Sequence, residues 1–383
     1  MAAQALRHEA LFYTGEDSFL AAALPFIRNG VGAGEPVLVA LSPEKIELLR
    51  SRLDGAAGAV TFADMHDLGR NPALIIPAWE EFIARNATAG RRVRGLGEPI
   101  WPERSQPEVV ECGHHESLLN LAFADGPEAW FLCAYDTHTL RPGVLRAAAE
   151  SHPLIDDHGT QRESSLYVEP EEAGAPFDGP LPDPPAQADE LPFDSPDDLG
   201  TARRFVADRA AGEVIDPERA DGLVLAVDEL VTNSLRHGGG SGVLRAWHED
   251  EDVVCEVGDA GTISDPLVGR LRPSLDKPGG RGLWIANHFC DLLQIRSSRA
   301  GTRVRCRLGP VMGPVRRLGS PTDRARRGGS GALSPAIRSS GAEHPFEGRS
   351  LRGQYAADGA DGQVPRNERP RIRSGPEGSS LKR

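Results

Sequence analysis

A carboxylate, a carboxamide and an imidazole recur at four-residue intervals in one short stretch: Glu229, Asn233 and His237 of DELVTNSLRHGGG. That spacing puts the three side chains on one face of a helix. An Asn oxygen can ligate Mg²⁺, which keeps most of its waters, and a Glu one turn away can accept a proton from a nucleophile. The plain alternative is a solvated helix face ending in a glycine cap, with His237 favourable against the helix dipole. Capping accounts for His237, so the chemistry is placed on Glu229 and Asn233. Leu223, Val227, Leu230, Val231 and Leu235 fall on an adjoining apolar face that can pack on a sheet.

Two later stretches carry matching chemistry. CEVGDAG sets Asp259 at the end of a strand before a glycine turn, where its carboxylate can accept from an exocyclic amine such as the N6 of adenine; an ordinary Asp-Ala-Gly turn is the alternative. KPGGRGLWIA places Gly279, Gly280 and Gly282 just before a helix, whose free N–H groups can cradle phosphates; a flexible loop with a helix start is the alternative. AGT, Ala300 to Thr302, then precedes a final strand.

In this order the motifs resemble those of the GHKL ATPase superfamily, with its Bergerat nucleotide fold, and within it the short anti-sigma-factor serine kinases. The resemblance spans residues 199–308. It implies ATP and Mg²⁺ as ligands, with Glu229 as general base, Asn233 as Mg²⁺ ligand, Asp259 as adenine partner and Gly261 in its loop. Gly280, Arg281 and Gly282 would line the phosphates, and Thr302 would be a second adenine-side contact. The adenine loop of such proteins commonly reads Asp-x-Gly-x-Gly, whereas Ile263 stands here at the second glycine. Arg203 and Arg204 are candidates for protein contact, with a solvated basic face as the alternative.

Context narrows the reaction. No dimerising helical hairpin with a phosphoacceptor histidine precedes this block, and no transducer domain follows it. What remains is transfer of the ATP γ-phosphate to Ser or Thr of an anti-anti-sigma (STAS-like) partner, largely by positioning and Mg²⁺. The alternative is a non-enzymatic, nucleotide-gated module that sequesters a sigma factor or its antagonist.

The elements that must position these residues read as α+β. Helices are expected at GTARRFVADRAAG, PERADGLVLAVDELVTNSLRHG and GRGLWIANHFCDLL, a hairpin turning at EDED, and a closing hairpin over LQIRSSRAGTRVRCRL. An earlier block, residues 7–168, alternates strands (PVLVAL, GAVTFADM, AWFLCAYD) with helices (SPEKIELLRSRL, ALIIPAWEEFIARNA, HHESLLNLAFAD), which argues for an α/β domain with a parallel-rich sheet. FIRNGVGAGEPVLVAL has glycines before its strand but no Gly-Lys-Ser/Thr of a P-loop. RGLGEPIWPERS reads as a loop able to line a small-molecule pocket. HEALFYTGEDSFLAAALPFIRNGVGAGEPVLVALSPEKIELLRSRL together with GEPIWP resembles the MEDS sensory domain, a RecA-like α/β fold without a working P-loop. That resemblance implies sensing of a small organic ligand by this block.

ECGHHE supplies Cys112, His114, His115 and Glu116, with Cys133 and His138 downstream, and raises metal or redox sensing through Cys112 and His115. The spacing matches no common site, and a helix start with buried polar residues is the simpler account. Residues 169–198 hold eight prolines and ten acids and read as a semi-extended acidic linker. Residues 309–383, with fourteen basic and seven acidic residues, read as a disordered tail.

The formal charge of -13 and pI near 5.4 disfavour a direct nucleic-acid binder. No run reaches the ~18 apolar residues of a membrane span, and the start carries no signal-peptide pattern. Five cysteines without CxxC spacing suit a reducing compartment, so a cytoplasmic protein is expected. The sequence leaves a homodimer open.

Overall fold

The computed structural model describes residues 6–87, 91–170, 179–211, 215–273 and 280–310. Its first sheet holds β1 (Leu6–Tyr13), β2 (Val37–Leu41), β3 (Val60–Asp64), β4 (Val93–Gly97), β5 (Ala129–Asp136), β6 (Leu154–Asp157) and β7 (Thr160–Glu163). The order is β3-β2-β4-β5-β1-β6-β7, with only β7 antiparallel to its neighbour. Helices α1 (Gly15–Gly32), α2 (Pro43–Leu53), α3 (Met65–Leu68), α4 (Ile75–Asn86), α5 (Gln106–Ala122) and α6 (Pro142–Ser151) connect these strands.

Parallel strands covered on both faces read as unbroken apolar runs. All five residues of β2 are buried accordingly. Separate apolar clusters fill the sheet's surroundings, one around Trp79, Leu118 and Phe131 and another around Phe19, Ile27 and Leu49. Ser42 caps α2 by accepting from the Lys45 N–H, and Pro43 takes its first turn, as the sequence predicts.

Two expectations in this block change. RGLGEPIWPERS was expected as a loop, yet its first residues complete β4, wholly buried. A Cβ at Gly95 would stand 2.7 Å from the Trp79 ring, so glycine is what lets the indole lie on the strand. ECGHHE does not start a helix either. It lies inside α5, whose start is fixed upstream by Glu108 accepting from the Ser105 N–H and hydroxyl.

The second sheet is antiparallel throughout, in the order β11-β12-β10-β9-β8. It is built from β8 (Asp189–Phe193), β9 (Gly242–Glu249), β10 (Asp252–Asp259), β11 (Leu292–Ser298) and β12 (Gly301–Leu308). Helices α7 (Leu199–Ala210), α8 (Pro217–His237) and α9 (Gly282–Phe289) pack on it through Val206, Leu223, Val227, Leu230 and Ala286. Asp216 caps α8 by accepting from the N–H groups of Glu218 and Arg219. The predicted third helix stops at Phe289, short of CDLL, because Cys290 is extended and Leu292 opens β11.

The acidic stretch is also corrected. Its residues 189–193 form β8, the edge strand beside β9, with Phe193 buried and Pro192 tolerated at the edge. Leu181 is buried as well, and the Pro182 carbonyl accepts from Arg305 at 2.7 Å. Residues 171–178 of the predicted linker and 311–383 of the predicted tail lie outside the described residues.

Buried polar contacts join the two sheets' surroundings. Glu111 of α5 accepts from Arg296 of β11 at 2.9 Å and from Arg270 at 3.5 Å. Asn71 donates to the Asn287 carbonyl of α9 at 2.9 Å, and Leu267 and Leu271 pack on the first block's core.

Candidate functional site

On α8 the apolar stripe Leu223, Val227, Leu230 and Val231 faces the sheet, and this turns Glu229 and Asn233, both half-buried, toward the start of α9. A Cβ at position 282 would stand 2.7 Å from Asn233 Nδ2 and 2.9 Å from Glu229 Oε2. Only glycine lets the first turn of α9 close over this pair. Burial pushes the Glu229 carboxyl above its ordinary range; the neighbouring Asp228 carboxylate adds to the shift and Arg236 opposes it. A base poised this way is better matched to proton transfer near neutral pH than an ordinary carboxylate.

Asp259 ends β10 and organises the loop that follows. Its Oδ1 accepts from the Gly261 N–H at 2.8 Å and its Oδ2 from the Ser234 hydroxyl at 2.5 Å. Each oxygen keeps a second lone pair for a ligand amine. Thr302 donates to the Gly261 carbonyl at 2.9 Å, so the Ser297 hydroxyl, 2.8 Å away, donates to Thr302 and accepts from the Ile263 N–H at 2.8 Å. Proton direction is fixed along the chain of bonds, which rigidifies the loop.

A groove lies over this network, walled by Leu230, Ile263, Leu283 and Val304 and floored by Asp259 and Thr302. An apolar slot with a carboxylate at its base fits a flat, amine-bearing heterocycle. Asn233 lines the same groove. Ile263, at the position of the second loop glycine, has no positive φ, so a β-branched residue is unstrained there, and its side chain supplies apolar wall.

The structure therefore brings Glu229, Asn233 and Gly282 to one point, and Asp259, Gly261 and Thr302 to another in the adjoining groove. Gly280 and Arg281 are exposed ahead of α9. Gly279 lies outside the described residues. His237 lines the groove from the helix end, exposed. Arg203 lies 3.7 Å from Asp228, beside Glu229. Sequence reasoning missed Ser234 and Ser297. A serine among Leu230 and Val231 on the inner stripe signals the first, and the hairpin register opposite Thr302 signals the second.

In the first block, Cys112 and His115 are separately buried. The Cys112 thiol meets the Pro99 carbonyl and is pushed up to about 12 by burial, which makes it unreactive. Burial takes His115 down to about 3. Neither belongs to the one group of converging ligand atoms found among the described residues. Both are buried side chains of α5, which fits the simpler account of a helix carrying buried polar residues rather than a sensor built on Cys112 and His115. All five cysteines are free and buried. A larger groove opens between α1 and the sheet, lined by Glu9, Phe26, Arg94, Trp130 and Asp156. Of RGLGEPIWPERS only Arg94 reaches it, while Arg104 closes the loop by donating to the carbonyls of Pro99 and Gly69. Among the described residues no helix is long and apolar enough to cross a membrane.

Two known families match successive parts of the chain. Residues 7–153 match the MEDS family, described as the methanogen/methylotroph, DcmR sensory domain, and residues 194–308 match the histidine kinase-like ATPase domain family. The chain thus carries a MEDS domain followed by a histidine kinase-like ATPase domain. No curated protein matches the chain. Among solved structures, the RsbU and RsbW domains of a Mycobacterium tuberculosis protein are 19% identical over 32% of each chain, with a TM-score of 0.24. A DnaB-like replicative helicase is 13% identical over 68% of this chain and 57% of its own, with a TM-score of 0.27. The chain spans about a third of the first of these structures.

Proposed function

We propose that residues 194–308 bind Mg-ATP in the groove beneath Ile263 and transfer its γ-phosphate to a Ser or Thr of an anti-anti-sigma partner, under control of the MEDS domain. The observation that carries this reading is the convergence of Glu229 and Asn233 on Gly282, beside a groove floored by Asp259. Asn233 would hold Mg²⁺, which when bound neutralises charge on the phosphates. Glu229 takes or orients the hydroxyl proton. Asp259 selects the base, with Thr302 fixing its loop, and Gly280, Arg281 and Gly282 offer N–H groups and a cation at the start of α9.

Control by the first block is supported by where the nucleotide loop is tethered. Leu267, Arg270 and Leu271 lie four to eight residues after the groove residue Ile263, and all three contact the first block. A small organic ligand in the groove lined by Glu9 and Trp130 would act on this contact across the parallel-rich sheet. Arg203, exposed beside Asp228, would offer a cation to the incoming partner. A cytoplasmic location follows from this function.

The test is incubation with labelled ATP, Mg²⁺ and an anti-anti-sigma protein from the same genome. Label on the partner, lost with Glu229→Gln and with Asn233→Ala, is expected. ATP-dependent partner binding without label would favour a nucleotide-gated module that sequesters a sigma factor or its antagonist, and absence of both effects would end the proposal.

A further inference from the structure

Away from the nucleotide groove, four elements of the first block each send one ligand-type side chain to a common point. These are His8 of β1, Glu116 of α5, Cys133 of β5 and His152 at the end of α6, all buried, with ligand atoms within 4.8 Å of one another. His8 Nε2 lies 3.1 Å from Glu116 Oε2, Cys133 Sγ lies 3.4 Å from each of those atoms, and His152 Nε2 lies 3.3 Å from Glu116 Oε2. A tetrahedral zinc ion with bonds of ~2.0 Å to N or O and ~2.3 Å to S has ligand–ligand edges of roughly 3.3–3.6 Å. Four of the six edges, at 3.1–3.4 Å, approach that spacing, and all six fall within 4.8 Å.

Hydrogen bonding decides which atoms face inward. Asn120 donates through Nδ2 to the Ser151 carbonyl, so its Oδ1 faces His8 Nδ1, 3.0 Å away, and that nitrogen must be the donor. His152 Nδ1 lies 2.7 Å from the Ala148 carbonyl and must also donate. Both imidazoles therefore turn Nε2 to the common point. His152 Nε2, fully buried, faces the Glu116 carboxylate oxygen at 3.3 Å.

With neutral rings, two nitrogen lone pairs confront a carboxylate in a dry interior, which is repulsive. With both rings protonated, the site holds a net positive charge away from water, which is costly, and with one protonated the charges cancel but the other ring still turns a nitrogen lone pair on the carboxylate. A dication with one thiolate, one carboxylate and two neutral imidazoles sums to zero. Tyr135 donates to the other Glu116 oxygen at 3.0 Å, and Asn120 and the Ala148 carbonyl orient the two rings. Outer contacts of this kind accompany metal ligands.

We propose that His8, Glu116, Cys133 and His152 bind one divalent transition metal of the zinc class. Four protein ligands leave no open position, so the ion is structural: it clamps α5 and the end of α6 to the central strands β1 and β5. This differs from any use of Cys112 or His115, and it does not depend on nucleotide chemistry.

The full chain, purified without chelator, is assayed for metal by mass spectrometry. About one zinc per chain is expected, falling at least tenfold in Cys133→Ser and in His152→Ala and unchanged in Cys112→Ser. Should those variants fail to fold, wild-type chain stripped of metal and refilled with Co²⁺ provides the second measurement. Tetrahedral d–d absorption with a thiolate charge-transfer band is expected, together with a higher melting temperature than the stripped protein. Asn120→Ala should weaken the metal by ~10–100-fold. A stripped chain with the same melting temperature and no cobalt spectrum would overturn the proposal, as would metal retained in Cys133→Ser and His152→Ala.

Discussion

Glu229 shows how one carboxylate is asked to do two incompatible things. Half-buried and beside Asp228, it holds a proton more tightly folded than unfolded. Its contribution to stability is therefore greatest below its unfolded pKa and is lost as pH rises through the raised folded value. At neutral pH the ionised form is a penalty on the fold that the proposed phosphotransfer would require. Glu229→Gln should accordingly melt higher than wild type at pH 7 while losing ~10²–10⁴ in phosphotransfer, read by calorimetry and labelled ATP. The acid limb of the rate profile should lie above the ordinary carboxylate range. Gly282→Ala tests the neighbouring contact. A methyl directed at Asn233 and Glu229 should weaken Mg-ATP at least tenfold, about 1.4 kcal/mol, measured by titration calorimetry. Unchanged affinity would show that α9 does not close on the pair.

Among the elements, α5 and β8 carry the clearest consequences. α5 reaches the second sheet through Glu111, a buried carboxylate held by two guanidiniums that are themselves buried. Removing one partner of such a group leaves uncompensated charge, at a cost of ~3–5 kcal/mol. Glu111→Ala should therefore lower the midpoint of urea unfolding and raise hydrogen exchange in residues 265–273, with the larger effect on the second block if Arg296 is the main partner. β8 is tested by Phe193→Ala. A side chain 3% exposed should cost ~3 kcal/mol or more on truncation, whereas a residue in a solvated linker would cost almost nothing.

At the scale of the whole molecule, the contact between the blocks should depend on acidity. Burial alone would raise the Glu111 carboxyl, but His114 and the guanidiniums of Arg296 and Arg270 outweigh it and hold it below its ordinary range. A depressed carboxyl contributes stability above its unfolded pKa that is lost as pH falls through the folded value. Acidification below the ordinary glutamate range should then loosen α5 from β11. Exchange of the Arg296 and Arg270 segments should rise there, and in Glu111→Gln that pH dependence should be absent.

Residue spacing singled out Glu229, Asn233, Asp259 and the glycines at 261, 280 and 282 as candidates, because a helix face, a strand end and a glycine turn are local patterns whose period is written into neighbouring residues; their proposed roles came from the resemblance. The same locality made the two sheet types legible. It failed at β4, where glycines that accommodate Trp79 look like a loop, and at β8, where Asp, Glu and Pro on an edge strand look like a solvated linker. Only the tertiary structure decided that Cys133 meets His8, Glu116 and His152 rather than joining Cys112 and His115, and that Glu111 meets Arg270 and Arg296. Those contacts cross parallel strands and separate blocks, so no spacing along the chain encodes them. They exist because β1 lies between β5 and β6, which packing of the whole sheet determines.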